Sequence, residues 1–151
     1  MSIFCLANIS KIFVIFFPMI LGLFLYLLFR PTSIYIFEFI RVINLEDQLL
    51  HLREYIKPLE NYMPLWIVYS LPTMLWAFSL TCLICVIWSK DFTNIFFLIY
   101  LLTAIAIIIG SEVLQLLRYL PGTFSYMDLS FNFFGIVLAL IYVFYSYKIC
   151  K

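Results

Sequence analysis

Four long apolar segments alternate with shorter polar ones along the chain. The first is an unbroken run of 18 residues, 12–29, between Lys11 and Arg30, and about 20 apolar residues suffice for a membrane-spanning helix. We therefore predict an all-α integral membrane protein, a four-helix bundle in a single transmembrane domain over residues 1–151. The predicted spans cover about 12–29, 64–88, 94–120 and 126–147.

The connection between the first two spans, about residues 33–58, is polar and predicts an interfacial segment. Its apolar side chains recur at helical spacing and share one face: Leu45, Leu49, Leu52 and Ile56. Asn44 is predicted to cap this helix at its N-terminus, with Glu46 and Asp47 in the first turn. Such an amphipathic helix lies at the membrane surface or packs over the mouth of the bundle.

The composition excludes an ordinary soluble domain. Hydrophobic residues make up 66% of the chain and charged residues only 11%, whereas soluble domains carry about 25% charged residues. The formal net charge of +1 argues against a nucleic-acid partner, which would require a clustered basic patch. The lipid bilayer is therefore the predicted environment.

Polar residues at membrane depth are concentrated between residues 110 and 135. Helical spacing places three of them on one face of the third span and two on one face of the fourth: Glu112, Gln115 and Arg118, then Asp128 and Asn132. Between these faces Pro121 and Gly122 interrupt the helical pattern. Ser125 and Asp128 are spaced as in a capping box that starts the next helix. The segment is therefore predicted to form a helical hairpin.

If both arms of this hairpin rise equally per residue from the turn, the sequence predicts which polar residues lie at the same depth. Glu112 should lie level with Asn132, and Arg118 with Asp128, with Glu112 roughly 12 Å below the turn. A carboxylate at that depth in lipid costs about 2.5 kcal/mol or more unless it meets protein, water or a partner.

Two interpretations of these polar residues stay open. In the first they line a small cavity that binds a polar head group or relays a proton, because intramembrane ionisable residues are functional by default. In the second they form a structural network whose interhelical hydrogen bonds contribute about 0.6–2 kcal/mol each.

The chain carries no motif for catalysis, metal binding or a cofactor. The patterns G-x-S-x-G, H-E-x-x-H and a Gly-rich phosphate loop do not occur, and a single histidine, His51, excludes a multi-histidine metal centre. We therefore predict no catalytic residue, no metal and no cofactor, and favour a non-enzymatic role. Cys82 and Cys85 form C-x-x-C inside an apolar span and are predicted to pack structurally. Gly110 and Gly135 are predicted to allow close helix approach.

The polar hairpin resembles the C-terminal signature of the VanZ-like family of small polytopic bacterial membrane proteins. The matching residues are Glu112-x-x-Gln115, Pro121-Gly122-Thr123-Phe124 and Asp128-x-x-x-Asn132-x-x-Gly135. The resemblance implies a multi-pass protein of the bacterial cytoplasmic (inner) membrane with both termini in the cytoplasm. It also implies a role in the cell envelope, where the family is associated with low-level glycopeptide resistance, and recognition of an envelope component or lipid head group.

A second functional hypothesis is a small accessory subunit that docks onto a larger membrane protein complex. In that case the polar residues of the hairpin only stabilise helix packing. A second basic residue between positions 119 and 127 would favour head-group binding, and none occurs there. This absence favours the accessory subunit, whereas the resemblance favours head-group binding.

Overall fold

The structure, a computed structural model, describes residues 2–30, 35–60, 62–89, 91–120 and 124–149. All regular secondary structure in these ranges is α-helical, which confirms the predicted all-α class. The six helices are α1 (Ser2–Phe29), α2 (Tyr35–Val42), α3 (Glu46–Glu60), α4 (Leu65–Ile87), α5 (Ile95–Leu116) and α6 (Tyr126–Ile149).

Four of these helices are long and apolar enough to cross a membrane, as predicted. The candidate spans are Lys11–Phe29, Leu65–Ile87, Ile95–Leu116 and Tyr126–Ser146. Asn94 starts α5, because its side-chain oxygen accepts a hydrogen bond from the Phe96 amide at 3.0 Å and so satisfies a free helix donor. The largest difference from the predicted boundaries is the end of α5, which lies at Leu116 rather than near residue 120.

α4 is the central helix of the bundle. Its contacts with α6 are the most extensive between any two described helices, followed by those with α1, and it also touches α5. The buried core draws on all four long helices: Ile15, Cys82, Cys85, Phe97, Ala139 and Val143. Both of these cysteines are free and almost completely buried, so they pack as core side chains, as predicted.

Glycines allow α4 to approach its neighbours closely. A Cβ atom on Gly135 of α6 would lie 2.6 Å from the Met74 carbonyl oxygen, so the two backbones are in direct contact there. On α1, a Cβ atom on Gly22 would lie 2.8 Å from Nε1 of Trp76. Around Gly110, in contrast, an added Cβ would meet nothing within 4 Å. Gly135 therefore allows close helix approach, whereas Gly110 does not serve that purpose.

The predicted interfacial segment forms two helices, α2 and α3, and α3 contacts the end of α1. Phe37 and Ile40 of α2 are buried, although α2 has only eight residues. Leu49 and Ile56 of α3 are half-buried. They pack against a second cluster, which consists of Leu28, Phe29 and Val68. Of the apolar face predicted for this segment, Leu49 and Ile56 therefore pack on the bundle, whereas Leu45 and Leu52 are exposed.

Asn44 ends α2 instead of starting α3, so the predicted N-cap is wrong. Its φ of 57° is left-handed. Its amide donates to the Arg41 carbonyl at 3.1 Å, and the Leu45 amide donates to the Ile40 carbonyl at 3.1 Å. These two bonds form the Schellman motif that closes a helix C-terminus. Asparagine suits the position because its short polar side chain tolerates the left-handed region.

A salt bridge connects the two short helices. Nε of Arg41 lies 2.8 Å from Oε2 of Glu46, and Nη2 lies 3.0 Å from Oε1. Hydrogen bonding to Arg41 lowers the pKa of the Glu46 carboxyl despite partial desolvation, and the positive charge of Arg41 acts in the same direction. Because this pKa is lowered in the folded chain, the pair stabilises the fold above the ordinary carboxyl pKa. That contribution is lost as the pH falls through the folded value.

We expect Arg41→Gln to raise the pKa of Glu46 towards its ordinary value, because the substitution removes both hydrogen bonds and the neighbouring charge. The measurement is an acid titration of the Glu46 carboxyl carbon by NMR in both proteins. Thermal stability should hardly change, because exposed ion pairs contribute little. An identical titration midpoint in the two proteins would mean that the ion pair does not form in solution.

Candidate functional site

Buried polar side chains from three helices converge near one end of the bundle, where α1 and α5 end and α4 and α6 begin. Four of these residues are at most 7% exposed: Ser70 of α4, Glu112 of α5, and Asp128 and Asn132 of α6. We call these four residues the polar cluster. Their burial requires an explanation, because a buried polar group without a partner costs about 1–3 kcal/mol.

The start of α6 positions Asp128 and Asn132. Ser125 caps this helix, since its Oγ accepts a hydrogen bond from the Met127 amide at 3.2 Å. The reciprocal half of the predicted capping box does not form: Asp128 Oδ1 accepts a hydrogen bond from Ser70 Oγ at 2.5 Å instead. Ser70 is within reach because α4 and α6 pack closely. Asn132 follows one turn later on the same face of α6.

The end of α5 brings Glu112 closer to the end of the bundle than predicted. Arg118 adopts a left-handed φ of 62°, its amide donates to the Gln115 carbonyl at 3.0 Å, and the Tyr119 amide donates to the Leu114 carbonyl at 2.9 Å. This Schellman motif terminates the helix at Leu116. Glu112 is therefore about one turn from the helix end, roughly 6 Å along the axis, rather than the predicted 12 Å from the turn.

The hairpin that was predicted between the third and fourth spans forms only a minor contact. α6 packs mainly on α4, and its contacts with α5 are much less extensive. The side chain of Arg118 is exposed, and Asp128 bonds to Ser70 rather than to this arginine. Gln115 is half-buried and takes no part in the hydrogen bonds of the polar cluster. Pro121 and Gly122, which were predicted to form the turn, lie outside the described residues.

Glu112 of α5 interacts electrostatically with charged residues at the ends of two other helices. Asp128 repels its negative charge, and Arg30 at the end of α1 attracts it. Within the described ranges, however, the only ion pair shorter than 4 Å joins Arg41 and Glu46. Arg30 and Glu112 are therefore close enough to interact electrostatically but are not in direct contact.

Two acceptor atoms of the cluster have no hydrogen-bond partner. They are Oε2 of Glu112 and Oδ1 of Asn132, and both are enclosed. The second polar atom of each side chain, Oε1 or Nδ2, also lacks a partner among the described residues but is not among the enclosed atoms. The two side chains therefore form a buried polar wall in which one atom of each is enclosed and the other is not.

Arg30 is held beside this wall by aromatic rings. Its guanidinium carbon lies 5.4 Å from the centre of the Tyr26 ring and 5.1 Å from that of Tyr69, distances at which cation–π attraction operates. Its one hydrogen bond in the described structure is long, 3.5 Å from Nη2 to the Tyr69 carbonyl oxygen. Nε is enclosed and has no partner, so most of the five N–H donors of this arginine are unused.

Two residues near these polar groups, Ser70 and Arg30, were not predicted from the sequence. Arg30 follows an apolar span, where a cation usually marks the membrane boundary. Ser70 is one of four serine and threonine residues in an apolar helix, where such hydroxyls commonly bond to their own backbone. Only the packing of α1, α4 and α6 reveals that both residues belong to the site.

The arrangement supplies carboxylate, amide and hydroxyl oxygens on one side and a guanidinium on the other. This set suits a polar ligand that carries both hydrogen-bond donors and an anionic group. Within the described residues no group of three His, Cys, Asp or Glu side chains is placed to hold a metal ion, and His51 lies on an exposed face of α3.

No protein-family model matches this chain, no curated protein matches it, and no solved structure does.

Proposed function

We propose that this chain is a VanZ-like protein of the bacterial cytoplasmic membrane that recognises an envelope component or lipid head group through the polar cluster. The observation that supports the proposal is the burial of Glu112 and Asn132 without a hydrogen-bond partner among the described residues. A ligand that donates a hydroxyl or ammonium hydrogen bond to Glu112 Oε1, the oxygen that is not enclosed, offsets part of the cost of this burial. In this proposal both termini lie in the cytoplasm, and the cluster lies near the outer face.

The bundle supports the proposal because contacts between its own helices hold the cluster together. The hydrogen bond from Ser70 to Asp128 joins α4 to α6, and close packing at Gly135 keeps these two helices together. A preformed site loses less conformational entropy on binding than a site that must be ordered by its ligand. The scaffold and the recognition groups are thus supplied by different residues, so they can be tested separately.

We expect Glu112→Gln to reduce retention of the ligand about tenfold while the fold is kept, because a lost charge-assisted hydrogen bond is worth about 1.5–3 kcal/mol. The measurement is purification in mild detergent followed by mass spectrometry of co-purifying lipids and proteins. The matched control is Glu54→Gln, the same change at an exposed residue of α3, which should retain the wild-type lipid profile. Equal lipid profiles for wild type and Glu112→Gln would contradict the proposal.

An accessory subunit of a larger membrane protein complex is the second candidate function. The low burial of α5 favours this role. Only 17% of its span is buried, compared with 39% of the span of α4. A partner protein covering α5 would bury that surface. If one protein co-purifies stoichiometrically with both wild type and Glu112→Gln, and no lipid distinguishes them, the accessory role replaces head-group recognition.

A further inference from the structure

We infer that the ligand of the polar cluster is a phospholipid with an aminoalkyl phosphate head group, whose phosphate binds Arg30 and whose ammonium group binds Glu112. The inference rests on the proposed function and names the class of its ligand. It follows from the charges placed around the cluster, from the unused donors of Arg30 and from an apolar groove beside α1.

Arg30 has the properties of an anion site. Its guanidinium carbon lies within 5.4 Å of the centres of both the Tyr26 and the Tyr69 ring, so cation–π attraction restrains it there. Its Nη1 atom is not enclosed, and its one hydrogen bond in the described structure is the long contact from Nη2 to the Tyr69 carbonyl. A planar guanidinium with free donors matches two phosphate oxygens at once. No carboxylate of the described residues lies within 4 Å of this guanidinium.

The charges around Arg30 select against a purely anionic ligand. Among the described residues, Asp128 and Arg30 are the charged groups that act on the Glu112 carboxyl group. A head group with only negative charge would meet the carboxyl groups of Glu112 and Asp128 as well as the guanidinium of Arg30. A zwitterionic head group instead places its phosphate on Arg30 and its ammonium on the carboxylates, so that each charge has an opposite neighbour.

An acceptor without a partner identifies the kind of cation. Glu112 Oε1, the oxygen of that carboxyl group that is not enclosed, has no partner among the described residues and needs an N–H or O–H donor. A primary ammonium group supplies three such donors, whereas a quaternary ammonium group supplies none. The site should therefore prefer phosphoethanolamine to phosphocholine, although both carry the same charges.

A groove of about 390 Å³ beside α1 is the place for an acyl chain of the same lipid. It lies between α1, α2 and α3 and is lined by Gln48 and nine apolar residues, which include Leu23, Leu27 and Phe39. Leu27 is one helical turn from Arg30, roughly 4.5 Å along the axis, and Leu23 is one turn further. A head group on Arg30 therefore has an apolar groove within reach of its chain, which favours a lipid over a free phosphate ester.

The test compares retention of defined lipids by the full-length chain, measured by native mass spectrometry after reconstitution with equal amounts of phosphatidylethanolamine, phosphatidylcholine and phosphatidylglycerol. Wild type should retain phosphatidylethanolamine about tenfold better than either competitor. Arg30→Gln should lower this preference about tenfold, because it removes a charge-assisted contact. Lys57→Gln, which removes an exposed cation from α3, should leave the preference intact.

Arg30→Lys and Glu112→Gln are measured together with Arg30→Gln, so that each result supports or overturns the inference. Arg30→Lys retains the charge without the planar fork, so it should fold and still lose most of the preference. Folding of each variant is checked by the protection of Cys82 and Cys85 from thiol reagents, since both are buried. If Arg30→Gln and Arg30→Lys bind as wild type while Glu112→Gln does not, the phosphate subsite is overturned and head-group recognition stands. If all three bind as wild type, both proposals fail.

A soluble competitor identifies the source of the head group. Glycerophosphoethanolamine carries the same head group without acyl chains, so it should displace the lipid poorly. Displacement at concentrations equal to those of the lipid would overturn the assignment of the groove to an acyl chain. Substitution of Leu27 by Gln should weaken lipid retention while leaving any binding of the soluble compound unchanged.

Discussion

Gly135→Ala should destabilise the bundle by about 1–3 kcal/mol, the usual cost of overpacking a closely packed contact. The new Cβ would lie 2.6 Å from the Met74 carbonyl oxygen. Because that neighbour is backbone, α4 and α6 must move apart, and their contact is the most extensive in the described structure. The measurement is the free energy of unfolding in detergent. Unfolding is monitored by the reaction of Cys82 and Cys85 with a thiol probe, in a Cys5→Ser, Cys150→Ser background.

Gly110→Ala is the matched control, because it makes the same chemical change in the interior of a helix without a clash. An added Cβ there meets nothing within 4 Å. Alanine favours a helix over glycine by about 1 kcal/mol, so this variant should be as stable as wild type or more stable. If Gly135→Ala were equally stable, the close approach of α4 and α6 would not exist in solution.

Ser70→Ala should lower the free energy of unfolding by about 1–3 kcal/mol, because it leaves the buried carboxylate of Asp128 without its donor. The hydroxyl and the carboxylate oxygen are 2.5 Å apart, and the two residues are 2% and 7% exposed. A hydrogen bond to a charged group is roughly twice as strong as one between neutral groups. The same thiol-reaction assay measures this decrease in the free energy of unfolding.

Ser79→Ala is the control for this second prediction. Ser79 is on the same helix and is 3% exposed, but its Oγ has no hydrogen-bond partner. A buried hydroxyl without a partner destabilises the fold, because its lost hydration is not compensated. Its removal should therefore leave the variant as stable as wild type or more stable. Equal losses in both alanine variants would show that burial rather than the bond to Asp128 explains the effect of Ser70.

The membrane spans could be predicted from the sequence because they depend on local composition. Any run of about 20 apolar residues must form a helix in lipid, where every backbone group needs an internal partner. Three of the four predicted spans end within one residue of the candidate spans in the structure. The remaining span, α5, is shorter than predicted, because no sequence rule indicates that Arg118 adopts a left-handed conformation.

Three of the five polar residues singled out from the sequence are buried in the structure, whereas Gln115 is half-buried and Arg118 is exposed. Glu112, Asp128 and Asn132 are all buried, and they were identified because charged or amide side chains are rare in apolar helices. Their predicted partners were less accurate. The reflection of the two spans about a turn assumed that α5 and α6 pair with each other, whereas α6 pairs mainly with α4.

The sequence by itself therefore determined the membrane class, the four spans and the polar residues at membrane depth, because each of these follows from the free energy of placing a side chain in lipid. Only the tertiary structure decided how these elements meet. The contact at Gly135, the bond from Ser70 to Asp128 and the position of Arg30 near Glu112 all join residues far apart in the chain. Their formation depends on which helix faces pack together, and in an almost uniformly apolar sequence no local pattern distinguishes those faces.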